Sequence, residues 1–317
     1  MKKNNPALAV FRNYSGILLG LLVLCVAMCF ASPYFMTGSN VLNILRQVSV
    51  NAILAYGMTF AILIGGIDLS VGPVQSMAGV ICAVMIGTLG CPVWLSILSA
   101  LTAGMLCGFV NGFIITKTGM PPFIVTMSMM SVCKGLAYTI SGGGPVRVME
   151  SSFNQIGTGF IGVISYPVIY MLVLFAVAYY LLNHTAFGRQ VYAIGGNRET
   201  ARFSGINIHR TEIFVFVLSA FLAAFTGVFL TARMYTGQPS VGDGAELDAI
   251  AAVVLGGTSM SGGRGRIGGT LIGAVVIGVI SNSLNLLNVS SFTQMIAKGI
   301  VIVGAVYIDT LNKRQRV

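Results

Sequence analysis

The chain has 317 residues, of which 56% are hydrophobic and only 8% are charged. Soluble domains carry about 25% charged residues, so this composition excludes a soluble globular protein and indicates a polytopic membrane protein. The net charge of +10 comes from lysines and arginines scattered over loops and chain ends. That distribution is explained by positive-inside topology and argues against a nucleic-acid partner.

Apolar runs long enough to cross a lipid bilayer predict an all-α bundle of about ten transmembrane helices. In chain order, the expected spans are roughly 14–34, 47–65, 70–89, 94–115, 122–141, 164–183, 212–232, 247–258 with some extension, 268–287 and 292–310. The first span follows a basic start and is expected to be uncleaved. Because the loops between spans are short, residues 1–317 are predicted to form a single transmembrane domain.

Basic residues lie next to both ends of the predicted bundle: Lys2, Lys3, Arg12, Lys313, Arg314 and Arg316. Since lysine and arginine concentrate on the cytoplasmic side, both termini are predicted to be cytoplasmic, which requires an even number of spans. On this topology, the acidic segment "TGQPSVGDGAELD" (236–248) and the segment 141–160 are outer loops. Lys134 and Lys298 fall near outer ends of spans, where snorkelling to the interface explains them.

Two glycine-rich segments, 61–87 and 252–278, interrupt apolar sequence and form a weak internal repeat. Backbone that leaves helical geometry in a membrane must be buried in protein or line water. The first segment contains Asp68, which is costly to bury in a membrane. Two interpretations of Asp68 stay open. It lines a pathway or gate together with Ser70, or it caps a helix that begins near Leu69.

The remaining polarity inside the predicted spans is mostly neutral and includes Asn51, Asn111, Asn282 and Asn285. With Asp68, these amides are candidates for the lining of a translocation path, and hydrogen bonding between helices is the alternative. Neutral amides suit an uncharged, hydroxylated solute. An ion channel would usually show rings of charged side chains or filters of backbone carbonyls. A proton-driven carrier would usually contain buried carboxylates or histidines.

The segment "GNRETARFSGINIHRTE" (196–212) contains several charged residues and lies between two strongly apolar regions. Asn197 can cap a helix and Gly205 can end it, which leaves about two turns between them. Such a helix is too short to be stable alone in water, so it needs a partner. A solvated loop that obeys the positive-inside rule is the alternative.

The motif Glu199-Thr200-Ala201 with Gly205 resembles the E-A-A-x-x-x-G loop of bacterial ABC import permeases, with threonine in place of the first alanine. The stretches 43–72, 188–207 and 246–274 are similar to the membrane subunit of ribose-type monosaccharide importers. The resemblance implies a permease of the bacterial inner membrane that forms a homodimer, with a cytoplasmic ABC ATPase and a periplasmic sugar-binding protein as partners. It also implies an ATPase-coupling loop at about 184–211, with these candidate residues: Arg198, Glu199, Ala201, Arg202, Phe203 and Gly205.

The sequence contains no G-x-x-x-x-G-K-[ST] phosphate loop, so ATP and magnesium are expected on a partner ATPase and this chain is expected to hold no cofactor. No Cys-x-x-Cys pair or histidine cluster predicts a metal site, and no nucleophile–base set predicts an enzyme. The predicted function is ATP-driven import of a monosaccharide. An ion-gradient-driven secondary carrier for a small neutral polar solute is the alternative. The charged outer residues predicted to meet the sugar-binding protein are Arg147, Glu150, Asp243 and Glu246.

Overall fold

A computed structural model describes residues 6–314, which form thirteen helices and four two-residue strands. The long helices are α1 (Pro6–Ala31), α2 (Gly38–Leu63), α3 (Val71–Gly87), α4 (Val93–Thr118), α5 (Pro122–Ser141), α7 (Tyr166–His184), α10 (Ile208–Met234), α12 (Ile267–Leu286) and α13 (Ser291–Arg314). The shorter ones are α6 (Ser151–Thr158), α8 (Ala186–Gly196), α9 (Arg198–Phe203) and α11 (Ala245–Leu255). Strands β1 (Val146–Arg147) and β4 (Thr236–Gly237) pair antiparallel, as do β2 (Phe160–Ile161) and β3 (Ile164–Ser165).

Helices α2 and α10 occupy the centre of the bundle. Every residue of α2 from 51 to 63 is buried, and 61% of the most apolar part of α10 is buried, against 22% for α4 and for α5. The outer helices therefore leave most of their apolar surface exposed on the outside of this chain. Close packing at the centre depends on small residues: a Cβ on Gly57 would lie only 2.9 Å from Cα of Ser219 in α10.

Within the part of the chain that the structure describes, five helices, α4, α5, α7, α10 and α12, are long and apolar enough to cross a membrane. The chain is therefore an all-α membrane protein, and the number of about ten spans stays a prediction. Helix α2 has 26 residues, but amide side chains and Arg46 lower the hydropathy of its first half. Helix α11 has only 11 residues and rises roughly 16 Å, about half the bilayer core. Lys2, Lys3 and Arg316, which support the prediction of cytoplasmic ends, lie outside the described residues.

Both glycine-rich segments leave helical geometry, as the sequence predicted. The first break, 64–70, joins α2 to α3, and Gly65 there has a φ of 81°. The second, 256–266, joins α11 to α12 and contains three glycines with positive φ. Both breaks are partly buried, with one exposed residue in the first and four in the second, and the N–H groups of Gly66 and Gly263 donate to the carbonyls of Ala61 and Leu63.

The segment 238–244 runs back into the bundle along α3. Gly237 packs against Ala83, and further on the N–H of Gly242 donates to Oγ of Ser76, 2.8 Å away, beside Gly72. Ala83 and Gly72 are eleven positions apart on α3, which corresponds to roughly 16 Å. The expectation that the acidic segment 236–248 is an outer loop is therefore wrong for its second half. Tight glycine contacts draw it inward, and α11 starts inside the bundle.

At the end of the bundle where α2 terminates, three elements meet backbone to backbone. The N–H of Gly263 donates to the carbonyl of Leu63 at 2.9 Å, and Oη of Tyr192 donates to the carbonyl of Gly265 at 2.7 Å. Gly195 of α8 leaves no room for a side chain, because a Cβ there would lie 1.7 Å from the carbonyl oxygen of Leu63. The segment α8–α9 is thereby attached to the end of α2 and to the second break.

Candidate functional site

A buried polar network surrounds Asp68 where α3 begins. Its Oδ1 accepts from the N–H and the hydroxyl of Ser70, at 3.1 and 2.6 Å, and its Oδ2 accepts from the hydroxyl of Ser219 at 2.9 Å. The amide of Asn111 in α4 donates to Oγ of Ser70 at 3.0 Å. Asp68, Ser70 and Asn111 are fully buried. One carboxylate thus links the first break to α10, and Ser70 extends the link to α4.

This geometry changes the cap interpretation of Asp68 and leaves the gate interpretation untested. The helix begins at Val71 rather than near Leu69, and its N-cap residue is Ser70, so Asp68 is not the cap. Its contact with the N–H of Ser70 is a local side-chain turn. Asp68, Ser70 and Asn111 line neither the cavity between α2, α10 and α12 nor the cavity beside α9. A role for them in gating stays a prediction.

The other three candidate path residues do come together. Asn51, Asn282 and Asn285 line a cavity of about 660 Å³ between α2, α10 and α12, together with Asn40, Asn43, Gln47 and Arg233. It lies at the end of α10 remote from α9, since Arg233 is near the last residue of that helix. Asn282 also forms a reciprocal pair with Asn40, at 3.1 and 2.9 Å, so interhelical bonding and cavity lining both hold for it.

Helix α9 is capped as the sequence predicted. The side chain of Asn197 accepts from the N–H of Thr200 at 3.0 Å. At the other end Gly205 has a φ of 79°, and the N–H of Ile206 returns to the carbonyl of Ala201 at 3.2 Å, as in a Schellman motif. Ala201 is buried against Ile194 and Ile208.

The outward face of α9 is exposed and mixed in character. Glu199 and Arg202 are exposed, and Phe203 is 87% exposed although it is a large apolar residue. A shallow cavity of about 330 Å³ adjoins it, lined by Arg198, Glu199, Arg202, Ile206, Asn207, Ile208 and His209. An exposed aromatic ring between charges is typical of a surface that another protein covers.

Arg198 does not belong to that free face. Its guanidinium donates to the carboxylate of Glu212 in the second turn of α10, with Nη2–Oε2 at 3.0 Å and Nη1–Oε1 at 2.9 Å. The side chain of Glu212 is 3% exposed and that of Arg198 is 50% exposed. The pair joins the start of α9 to α10. Helix α9 is therefore held by this ion pair and by the packing of Ala201 against Ile194 and Ile208.

The charged residues assigned to binding-protein docking fall into two groups. Arg147 and Glu150 are exposed, near the β1–β4 pair. Glu150 caps α6 by accepting from the backbone N–H of Ser152 at 3.5 Å, and it also accepts from the hydroxyl of Ser152 at 2.8 Å. Glu246 is instead 5% exposed, next to Gly72 inside the bundle. The expectation of a surface carboxylate at Glu246 is wrong for this conformation, because the segment before it turns inward.

Both membrane lysines have acidic partners. Lys134 of α5 pairs with Asp243 at 2.9 Å, and Lys298 of α13 pairs with Asp248 at 2.7 Å. Both lysines are therefore paired, and the Lys134 side chain is also 40% exposed, so snorkelling to the interface stays a prediction for them. The acidic segment supplies both partners, which the sequence could not indicate because more than a hundred residues separate the first pair and fifty the second.

Residues 40–306 match the family model described as "Branched-chain amino acid transport system / permease component". The chain belongs to this permease family. Its relatives include the ribose import permease protein RbsC of Haemophilus influenzae, 46% identical over 92% of this chain and 91% of the relative. The RbsC protein of Bacillus subtilis is 46% identical over 93% and 92%, and the L-arabinose transport system permease protein AraH of Escherichia coli is 38% identical over 95% and 92%. No solved structure matches the chain.

Sequence reasoning missed several polar residues of this permease. Asn40, Asn43 and Gln47 line the cavity, and Arg233 faces them from α10. Their spacing along α2, with Asn51, was a readable signal, because residues three and four apart share one helix face. The predicted second span, 47–65, begins at Gln47, so Asn40 and Asn43 fell before it.

Proposed function

We propose that this permease is the membrane subunit of an ABC importer that translocates a ribose-type monosaccharide across the bacterial inner membrane. The observation that carries the proposal is the 46% identity to ribose import permeases over more than nine-tenths of both chains. The amide-lined cavity agrees with a neutral, hydroxylated cargo.

ATP hydrolysis in this proposal takes place on a separate ATPase, which holds ATP and magnesium. The sequence of this chain lacks a phosphate loop, and helix α9 presents an exposed face at one end of the bundle. A periplasmic sugar-binding protein delivers the cargo at the opposite end, near Arg147 and Glu150. The bundle spans the membrane about ten times, with both termini and α9 in the cytoplasm.

The proposed assembly contains two copies of the permease. Each chain offers one α9, and an ATPase dimer with two equivalent grooves requires two of them. A twofold homodimer is the simplest arrangement that satisfies this.

The test is reconstitution of the permease in proteoliposomes with its ATPase and its sugar-binding protein. Labelled ribose should accumulate only when ATP and all three proteins are present, and ionophores that collapse ion gradients should not change the rate. Purified permease alone should hydrolyse no ATP. Uptake by the permease alone that follows an ion gradient would establish the secondary carrier instead.

A further inference from the structure

Four amide side chains follow one face of α2. Asn40, Asn43, Gln47 and Asn51 are spaced by three, four and four residues, which places them in one row along the helix. The row spans roughly 16 Å. Beyond Asn40, which is 7% exposed, exposure falls along the row, because Asn43 is exposed, Gln47 is partly buried and Asn51 is 8% exposed. The row therefore leads from the mouth of the cavity into the bundle.

The members of the row differ in what they bind. Asn40 is occupied, since its amide contacts the carbonyl of Phe35 and the side chain of Asn282. Among the described residues, the side chains of Asn43, Gln47 and Asn51 have no hydrogen-bond partner. Each offers two donors and one acceptor to the cavity, which is the complement of a hydroxyl group. Polar groups on a membrane helix require such partners, so this row faces water or a ligand.

The opposite wall adds donors but no negative charge. Arg233 lies at the end of α10 and has no carboxylate within 4 Å in the described part of the chain. The Oδ1 of Asn285 is taken by Gln294 at 2.8 Å, which leaves its amide hydrogens facing the cavity. A guanidinium has five donors and no acceptor, and it bonds adjacent hydroxyl oxygens without needing a charged partner.

We propose that Asn43, Gln47 and Asn51, with Arg233 and Asn285 opposite, form a low-affinity binding site for a neutral monosaccharide in transit. The proposal rests on the proposed function and adds the residues and the mode of recognition. Amides four residues apart on α2 are separated by roughly 6 Å of rise, about the width of a sugar ring. A ring can therefore bond two successive amides at once and exchange them one at a time as it moves inward.

The composition of the lining explains why the site is weak. Its volume of about 660 Å³ is larger than one sugar ring needs. Among the described residues that line it there is no aromatic ring for the sugar to stack on, and the apolar ones are aliphatic: Val50, Leu230, Met234 and Leu286. Weak, repeated binding suits transport, because a cargo must leave each site as readily as it enters.

The test compares Gln47→Met and Asn43→Leu with the wild type in the reconstituted transporter. Methionine has the length of glutamine but no amide, so helix packing is kept. The measured quantity is ribose taken up per ATP hydrolysed. Loss of one hydrogen-bonding group should lower this ratio about fivefold in each variant. Gln47→Asn, which restores an amide, should recover part of it. Asn183→Leu, an exposed amide outside the cavity, is the matched control and should keep the ratio.

Three outcomes would overturn the inference, and they differ from failure of the proposed function. If Gln47→Met and Asn43→Leu both keep the wild-type ratio, the row does not contact the sugar, although ATP-driven ribose uptake still stands. If the wild type imports ribonate faster than ribose, Arg233 selects an anion and the neutral class is wrong. If the wild type with its partners imports no pentose at all, both proposals fall together.

Discussion

Arg198 and Glu212 form a two-point ion pair, 3.0 and 2.9 Å long, between the first residue of α9 and the first turns of α10. Helix α10 also holds Ser219, which binds Asp68, and Arg233, which lines the cavity. One continuous helix therefore connects the exposed face of α9 to the buried network and then to the cavity at the opposite end.

Removing either partner of this pair should weaken the attachment of α9. Arg198→Met leaves the buried carboxylate of Glu212 without its partner, at a cost of about 1–3 kcal/mol. The thermal unfolding midpoint of the purified permease should fall, and ATP hydrolysis should be less well coupled to ribose uptake. The exchanged pair Arg198→Glu with Glu212→Arg should restore part of both. Equal midpoints for Arg198→Met and wild type would show that the pair contributes nothing to stability.

The turn after α9 should tolerate only glycine. Gly205 has a φ of 79°, a conformation that proline cannot adopt because its ring holds φ near −65°. Gly205→Pro should therefore misplace α9 and uncouple ATP hydrolysis from transport, while insertion and dimer formation survive. Glu199→Lys should have a similar effect, since it puts positive charge at the positive end of the helix. Gly196→Ala, at a helical position with open space, is the control. Normal transport by Gly205→Pro would mean that α9 is only a connector.

The carboxylate of Asp68 should stabilise the first break. Asp68→Leu leaves the hydroxyls of Ser70 and Ser219 without an acceptor in a buried site, and each such group costs about 1–3 kcal/mol. We expect a lower unfolding midpoint and slower transport. Ser219→Ala removes one donor only and should have a smaller effect, and Ser128→Ala, on an exposed face, should have none. If Asp68→Leu unfolds at the same temperature midpoint as the wild type, the network around Asp68 does not contribute to stability.

Docking of the sugar-binding protein should respond to Arg147 and Glu150, which are exposed. Arg147→Glu should change the association rate, more strongly at low salt, because charges at the rim of an interface act mostly on association. Glu150→Gln should change it in a smaller degree. Arg264→Glu, at the opposite end of the bundle, serves as the control. Association kinetics of Arg147→Glu that match the wild type at every salt concentration would place docking elsewhere.

Glu246→Lys should behave differently from those rim variants. The carboxylate is 5% exposed and would lie 2.3 Å from a Cβ on Gly72, so a longer cationic side chain has no space. We expect poor insertion or a lowered unfolding midpoint rather than altered association. A stable Glu246→Lys variant with slower association would return this residue to the outer surface.

Much of the fold followed from local sequence. The caps at Asn197 and Gly205 and the two glycine breaks were predictable because each depends on a few neighbouring residues. The inward course of 238–244 was not, since it depends on the contact of Gly242 with Gly72, far away in the chain. The pairs of Lys134 and Arg198 were missed for the same reason. Hydropathy predicts that a polar residue lies within a membrane span, but it does not predict which residue pairs with it.

Gly195 packs closely against the carbonyl of Leu63, and we expect α8 and α9 to rotate about this contact. Gly195 of α8 and Phe203 of α9 are eight residues apart, with Asn197 between the two helices, and the rise of a helix over eight residues gives an arm of roughly 12 Å. A push on Phe203 by about 2 Å would turn that arm by about 10°, within the range of helix shifts at protein interfaces. No side chain lies between Gly195 and the carbonyl of Leu63. A rotation of α8 and α9 would therefore displace the main chain of α2, the helix that carries the amide row.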